Sequence, residues 1–256
     1  MPDQIVSLEK DEFIGIITMN RPPVNGMDAN LVTELLNIFR KADEDEQIRT
    51  IIITSAIKGI FSAGLDISTV SSGEGKAPVE IQGIFSDIYK IEKPVIAAIN
   101  GHALGGGCEL SLVCDFRFMS RGRGTIGLTE VNLGIIPGAG GTQRLPRLIG
   151  VNKATELLFN GTRLKADEAL EIGLVHRVFD EEKLMEESLQ YAKKLAAQAP
   201  VAIKLIKRCI RQGLDTDLEG GLKIERESSA KVFSTNDALE GFTAFMEKRK
   251  PDFKGK

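Results

Sequence analysis

PVIAAINGHALGGGCELSLVCD, residues 94–115, decides the fold class. Val95 to Ile99 is a short unbroken apolar run, the signature of a strand covered on both sheet faces. Gly105-Gly106-Gly107 makes a poor helix interior, yet Cys108 to Val113 reads as helix. The glycines are therefore expected to form a turn that feeds a helix N-terminus, where backbone N–H groups point outward without intrahelical partners. Glycine there lets a ligand approach the backbone closely. A tight turn packed against the strand accounts for the same glycines and, for a lone cluster, is the stronger reading. At these glycines the spacing is neither GxGxxG nor GxxxxGK[ST], so this turn is not one of the two commonest phosphate cradles.

The same strand–turn–helix grammar extends outward. Phe13 to Met19 is β-rich and stops at Asn20-Arg21-Pro22-Pro23. Asp28 is placed to cap a helix carrying Leu31, Leu35, Leu36, Ile38 and Phe39 at helical spacing. Thr50 to Thr54 is a second buried strand, Ile81 to Ile91 a second amphipathic helix, and Phe116–Met119 and Leu174–Phe179 are further strands. Strands alternating with helices indicate an α/β core. From Glu181 onward the pattern is helical, with breaks at Ala199-Pro200, Gly213 and Gly220-Gly221. Such a tail serves as a cap over a site or as an oligomerisation element. SSGEGKAP (71–78) is small and polar, and reads as a mobile surface loop.

Two further glycine-bearing clusters are FSAGLDI (61–67) and GLTEVNLGIIPGAGGTQRLPRLIG (127–150). Two acids stand out. Glu109 sits among Cys108, Leu110, Leu112 and Val113, and Glu130 among Ile126, Leu128, Val131 and Leu133. Taken singly, dipole complementation accounts for Glu109 and plain exposure for Glu130. Asp66 and Asp115 read as turn or cap residues. His102 and His176 stand alone, without metal-ligand spacing, so no metal is expected. The three Cys form no CxxC pair, and Cys108 and Cys114 are expected to fill core space on one helix.

Composition narrows the function classes. With 42% hydrophobic residues the chain can bury a core. A net charge of −3 gives no general pull toward nucleic acid or anionic lipid. The basic stretch Lys204 to Arg211 reads as a solvated helix face. No apolar run approaches the ~20 residues of a membrane span. The acidic start MPDQIVSLEKDEF predicts no secretory signal. Free thiols suit a reducing compartment, and a cytoplasmic location is expected.

Taken together, 61–67, 94–115 and 127–150 resemble the crotonase superfamily, and specifically the enoyl-CoA hydratases. RPPVNGMD (21–28) and FMEKRKPDF (245–253) resemble that family's start and end. The resemblance implies an α/β fold built as a spiral of repeated ββα units, over residues 1–195, which would carry the CoA-binding and catalytic site. Residues 196–256 would form a C-terminal helical region for trimerisation, in a homotrimer or a dimer of trimers. The implied reaction is reversible hydration of a 2-enoyl-CoA to a 3-hydroxyacyl-CoA, as in fatty acid β-oxidation, with no cofactor beyond the CoA of the substrate.

By the same resemblance, the backbone N–H groups of Leu65 and Gly106 form the oxyanion hole. Glu109 and Glu130 are the catalytic pair, Glu109 assisting deprotonation of water and Glu130 exchanging a proton with C2. Pro23, Val24 and Ala63 contact the adenine end of CoA, Ile67 flanks it, and Lys248 meets CoA phosphates. The segment Ser120 to Gly124 is one residue longer than the hydratase pattern, while RPPVNG and FSAGLD look more like enoyl-CoA isomerases. Those isomerases lack the acid at the position of Glu109, so the presence of both acids favours a hydratase. A role as an RNA-binding relative of the family is opposed by the net charge. Acyl chain length is not legible in the sequence.

Overall fold

Every residue of Thr50–Ser55 is buried, and this strand, β3, is central to the main sheet. The computed structural model describes residues 4–66 and 77–256. Strands β1 (Val6–Asp11) and β2 (Ile14–Met19) form an antiparallel pair. Parallel pairing then links β2 to β3, β3 to β5 (Val95–Ile99), β5 to β7 (Phe116–Ser120) and β7 to β9 (Arg177–Phe179). The sheet order is β1-β2-β3-β5-β7-β9. The apolar runs are continuous because both faces are covered. Ile51 and Ile53 join the main core, while Ile52 packs on the opposite face with Ile96, Phe118, Leu184 and Ala192.

Strands β3, β5 and β7 are each followed by a short one. β4 (Gly59–Ser62), β6 (Gly101–Leu104) and β8 (Ile126–Gly127) make a second, three-stranded parallel sheet. Helices follow: α1 (Ala29–Glu44) after β2, α2 (Ala77–Tyr89) after β4, and α3 (Gly106–Val113) after β6. A 3-10 turn, Glu130–Leu133, and α4 (Gly141–Ile149) come after β8. The chain thus climbs as the expected spiral of ββα units. Asp28 caps α1 by accepting from the Leu31 N–H at 2.8 Å, as its position predicts.

Successive turns of the spiral touch backbone to backbone. A Cβ on Gly101 would lie 1.9 Å from the Gly59 carbonyl carbon, and one on Gly124 would lie 2.7 Å from the Gly101 Cα. The short strands escape sequence reading because two to four residues carry no measurable period. Leu174 and Val175 enter the core ahead of β9, so that strand begins later than the apolar run. Cys114 ends α3 rather than continuing it, and both Cys108 and Cys114 are buried. The surface loop expected at 71–78 lies outside the described residues up to 76.

Helices α5 (Val151–Asn160) and α6 (Ala166–Glu171) lead to β9, and α7 (Leu184–Ala196) covers the outer sheet face. Then come α8 (Pro200–Gly213), α9 (Leu218–Phe233) and α10 (Asn236–Met246). Pro200 opens α8, where its missing N–H costs nothing. Gly220 and Gly221 do not break the tail; they lie inside α9, and a Cβ on Gly221 would be 3.6 Å from the Gly213 Cα of α8. The basic stretch in α8 is not a solvated face. Lys207 and Arg211 turn inward onto Asp115 at 2.7 and 2.8 Å. Asp115 also accepts from the Val95 N–H at 2.8 Å, so it fixes the start of β5 and anchors α8 rather than serving a turn.

The glycine contacts separate two substitutions. Gly101→Ala is expected to destabilise by more than about 3 kcal/mol or to prevent soluble folding, because backbone must move to admit the methyl. Gly83→Ala, on an exposed position of α2 with open space around it, is expected to stabilise by about 0.5–1 kcal/mol. Urea unfolding of the two variants beside the parent chain measures both.

Candidate active site

Two backbone segments meet beside the N-terminus of α3. Gly64 has φ +90°, and a Cβ there would lie 2.6 Å from the Leu104 carbonyl oxygen and 2.9 Å from the Gly106 nitrogen. On the other side, a Cβ on Gly106 would fall 3.7 Å from the Leu65 nitrogen. The Leu65 and Gly106 N–H groups are therefore neighbours. Neither meets a protein acceptor among the described residues. Gly105, φ +52°, makes the turn that lets α3 begin there.

The 61–66 segment is held from behind by 21–28. The Met27 N–H donates to the Gly64 carbonyl at 2.8 Å and the Asp66 N–H to the Met27 carbonyl at 2.9 Å, flanking Leu65. Asn25 is fully buried; its amide donates to Ser55 Oγ and the Phe61 carbonyl at 2.7 and 2.9 Å. Ser62 Oγ donates to the Asn25 carbonyl at 2.7 Å. Arg21 bridges Asp28 and Asp66, each at 2.9 Å. The Ala63 N–H donates to the Val24 carbonyl at 3.0 Å, so Pro23, Val24 and Ala63 stand together, with Pro23 and Ala63 exposed. Ile67 lies outside the described residues. Lys248 follows α10 on an exposed turn, and no described hydrogen bond or ion pair joins it to these segments. Sequence reading missed the roles of Asn25 and Arg21; Pro22-Pro23 and the Asn-Gly pair at 25–26 are the local signs of a structured turn.

Glu109 lies in the first turn of α3 and is 3% exposed. Its Oε1 accepts from the Ala139 and Gly141 N–H groups, both at 2.8 Å. Burial pushes its pKa up, while those two donors and the Arg144 guanidinium oppose the rise. Glu130 heads the 3-10 turn, with its Oε1 3.3 Å from where a Gly105 Cβ would stand. Its Oε2 is buried and unpartnered among the described residues. Burial, and next the charge of Glu109, push the Glu130 pKa up to about 7. Glu130 is thus half-buried rather than a plainly exposed acid. The structure gathers both acids, Leu65 and Gly106 at one end of α3.

Chemically, the arrangement offers two backbone donors without an acceptor among the described residues, suited to a developing oxyanion, and two interacting carboxylates for proton transfer. A cleft of about 530 Å³ opens beyond Gly140, lined by Gln82, Ser86, Tyr89, Arg144 and residues of α8. None of Glu109, Glu130, Leu65 or Gly106 is among its lining residues.

Residues 9–256 match the family described as enoyl-CoA hydratase/isomerase. The chain is 41% identical over 250 residues to a short-chain-enoyl-CoA hydratase of Clostridium acetobutylicum, covering 96% of this chain and 95% of that protein. It is 39% identical over 253 residues to a crotonyl-CoA hydratase of Syntrophomonas wolfei, covering 97% of each. The crystal structure of an enoyl-CoA hydratase from Bacillus anthracis superposes with a TM-score of 0.94 at 42% identity, covering 99% of this chain and 100% of that one.

A raised carboxyl pKa is also a statement about stability. The folded chain holds the Glu130 proton over a pH range in which the unfolded chain, near 4.5, has released it. Stability therefore falls as pH rises from about 4.5 to about 7. Glu130→Gln removes the charge at every pH. Its Tm relative to the parent chain is expected to be higher at pH 8 than at pH 5, by about 2–4 °C for each kcal/mol of relieved charge burial. A Tm difference independent of pH between 5 and 8 contradicts this.

Proposed function

Because the chain belongs to the enoyl-CoA hydratase/isomerase family, we propose that it adds water reversibly across the C2=C3 bond of a 2-enoyl-CoA, giving the 3-hydroxyacyl-CoA. The observation that carries this reading is the pair of mutually interacting carboxylates, Glu109 and Glu130, beside the paired Leu65 and Gly106 N–H groups. Attack of water at C3 pushes the π electrons toward the thioester oxygen. The two N–H groups stabilise the charge where it develops, with the N-terminus of α3 behind one of them. Glu109, anchored as a carboxylate by two N–H donors and near Arg144, takes the proton from water. Glu130, with its pKa near 7, is about half protonated at neutral pH, and its protonated form delivers the proton to C2. The proton left on Glu109 returns to Glu130 before the next turnover.

The CoA end is assigned to the backbone of Pro23, Val24 and Ala63, with Ile67 beside the adenine and Lys248 reaching the phosphates across a subunit boundary. Residues 1–195 would then be the catalytic core and 196–256 the oligomerisation region, in a trimer or a dimer of trimers. Support comes from α8 to α10, which expose Ile206, Ile210, Leu214, Leu218, Phe242 and Phe245, the last two at 55% and 84%. So broad an apolar surface is characteristic of one that another chain covers. Fatty acid β-oxidation is the natural setting for such an activity, and a cytoplasmic enzyme fits free cysteines.

Product analysis with crotonyl-CoA and 3-hexenoyl-CoA tests the reaction. Hydration of crotonyl-CoA is expected to dominate; double-bond migration without hydration overturns the reading. Glu109→Gln is expected to lower kcat/KM for hydration by at least roughly 10²-fold, with any isomerase activity better preserved, while Glu130→Gln depresses both. Because the two acids serve one water, the double variant is expected to lose much less than the product of the single losses. Full hydration by Glu109→Gln rules out a two-acid mechanism.

A further inference from the structure

We propose that Arg144 is a positioning residue for Glu109, clamping the backbone whose N–H groups hold that carboxylate. This rests on the hydratase reading for its kinetic consequences, though its geometry does not. Arg144 Nη1 donates to the Ala139 carbonyl at 2.7 Å. The Ala139 N–H, on the same residue, and the Gly141 N–H, two residues on, both donate to Glu109 Oε1. Arg144 thus reaches back from α4 and fixes the short bend that aims both donors.

A second observation agrees. Gly140 stands between the two donors with φ +105°, and a Cβ there would lie 2.0 Å from Arg144 Nη1. The absent side chain leaves the space that the guanidinium occupies. The arginine is itself braced. It packs over the Tyr89 ring at 5.1 Å, and Arg211 of α8 lies over the same ring at 3.8 Å. Arg211 is tied in turn to Asp115 at 2.8 Å and to the Val113 carbonyl at 3.1 Å, at the far end of α3. The helix that carries Glu109 and the arginine that holds its donors are thereby referenced to one ring.

The charged and titratable groups facing Glu109 are Arg144 from α4, Glu130 from the 3-10 turn and the Cys108 thiol beside it on α3. Glu130 opposes the Glu109 charge, and Arg144 favours it. Loss of Arg144 therefore has a definite sign. The Glu109 carboxyl becomes easier to protonate, and the acid limb of the pH profile moves to higher pH. A role confined to packing lowers the yield of folded protein but leaves that limb in place.

The test uses the full-length protein in its native assembly. Arg144→Met is expected to lower kcat for crotonyl-CoA by about ten- to a hundredfold, as a misaimed catalytic group does, with KM changed by less than about threefold. The acid limb of kcat/KM is expected to move up by about one pH unit. Arg144→Lys keeps the stem and the charge but not the fork, so its kcat also falls while its limb moves less. It decides the matter if Arg144→Met does not fold. The Glu109 carboxyl is titrated independently by carbon-13 NMR, assigned with Glu109→Gln, and is expected to move upward in Arg144→Met. Both Arg144 variants retaining parental kcat, with an unmoved Glu109 titration, overturn the proposal. A parent protein that does not hydrate crotonyl-CoA overturns the hydratase reading instead, and the NMR titration then still decides the role of Arg144.

Discussion

Backbone meets backbone where successive turns of the spiral pack, and the site depends on that closeness. Gly59, Gly101 and Gly124 stack at one level, and Gly64 lies against the Gly105–Gly106 turn at another. Any side chain at Gly64 or Gly101 would push the turns apart. Because none is present, the N–H of Leu65 from one turn and that of Gly106 from the next become neighbours. A donor pair is thus assembled from residues distant in sequence, with no side chain in either role. Its rigidity comes from the surroundings: Met27 hydrogen-bonded on both sides of Leu65, and the buried Asn25 amide behind.

Charge is distributed around that contact with economy. Two carboxylates that repel each other are kept at the end of α3, and their burial raises both pKa values. One is held by two N–H donors and lies near an arginine; the other has a buried oxygen without a described partner. The environments differ, which is the condition under which two like residues can take unlike proton-transfer roles. Burying these charges costs stability locally. Asp115 binds Lys207, Arg211 and the start of β5 in a part-buried cluster. That cluster joins the C-terminal helices to the core, so the tail is part of the frame that supports the site.

The helical tail also shows how charge and apolar patterns mislead. Lys204 to Arg211 carries enough charge to read as a solvated face, yet Lys207 and Arg211 point inward to a single carboxylate. Meanwhile Ile206 and Ile210 stand exposed on the same helix. Apolar spacing reports that a face is buried, but not whether the protein's own core or another chain buries it.

The sequence by itself determined the elements whose chemistry is local. Continuous apolar runs at 50–54 and 95–99 required strands covered on both faces, Asp28 required a helix after it, and three adjacent glycines before Cys108 required a turn into a helix. The resemblance of three motifs to one family added the expected spiral and the residues to watch. Tertiary structure alone decided the rest. The short strands β4, β6 and β8 have too few residues for any period, and exist because neighbouring turns supply their hydrogen bonds. That Glu130 is half-buried beside Gly105, and that Arg144 holds the loop that holds Glu109, depends on contacts between separate turns of the spiral. Periodicity records which face of one element is apolar; it carries no information about which backbone atom of another element arrives opposite it.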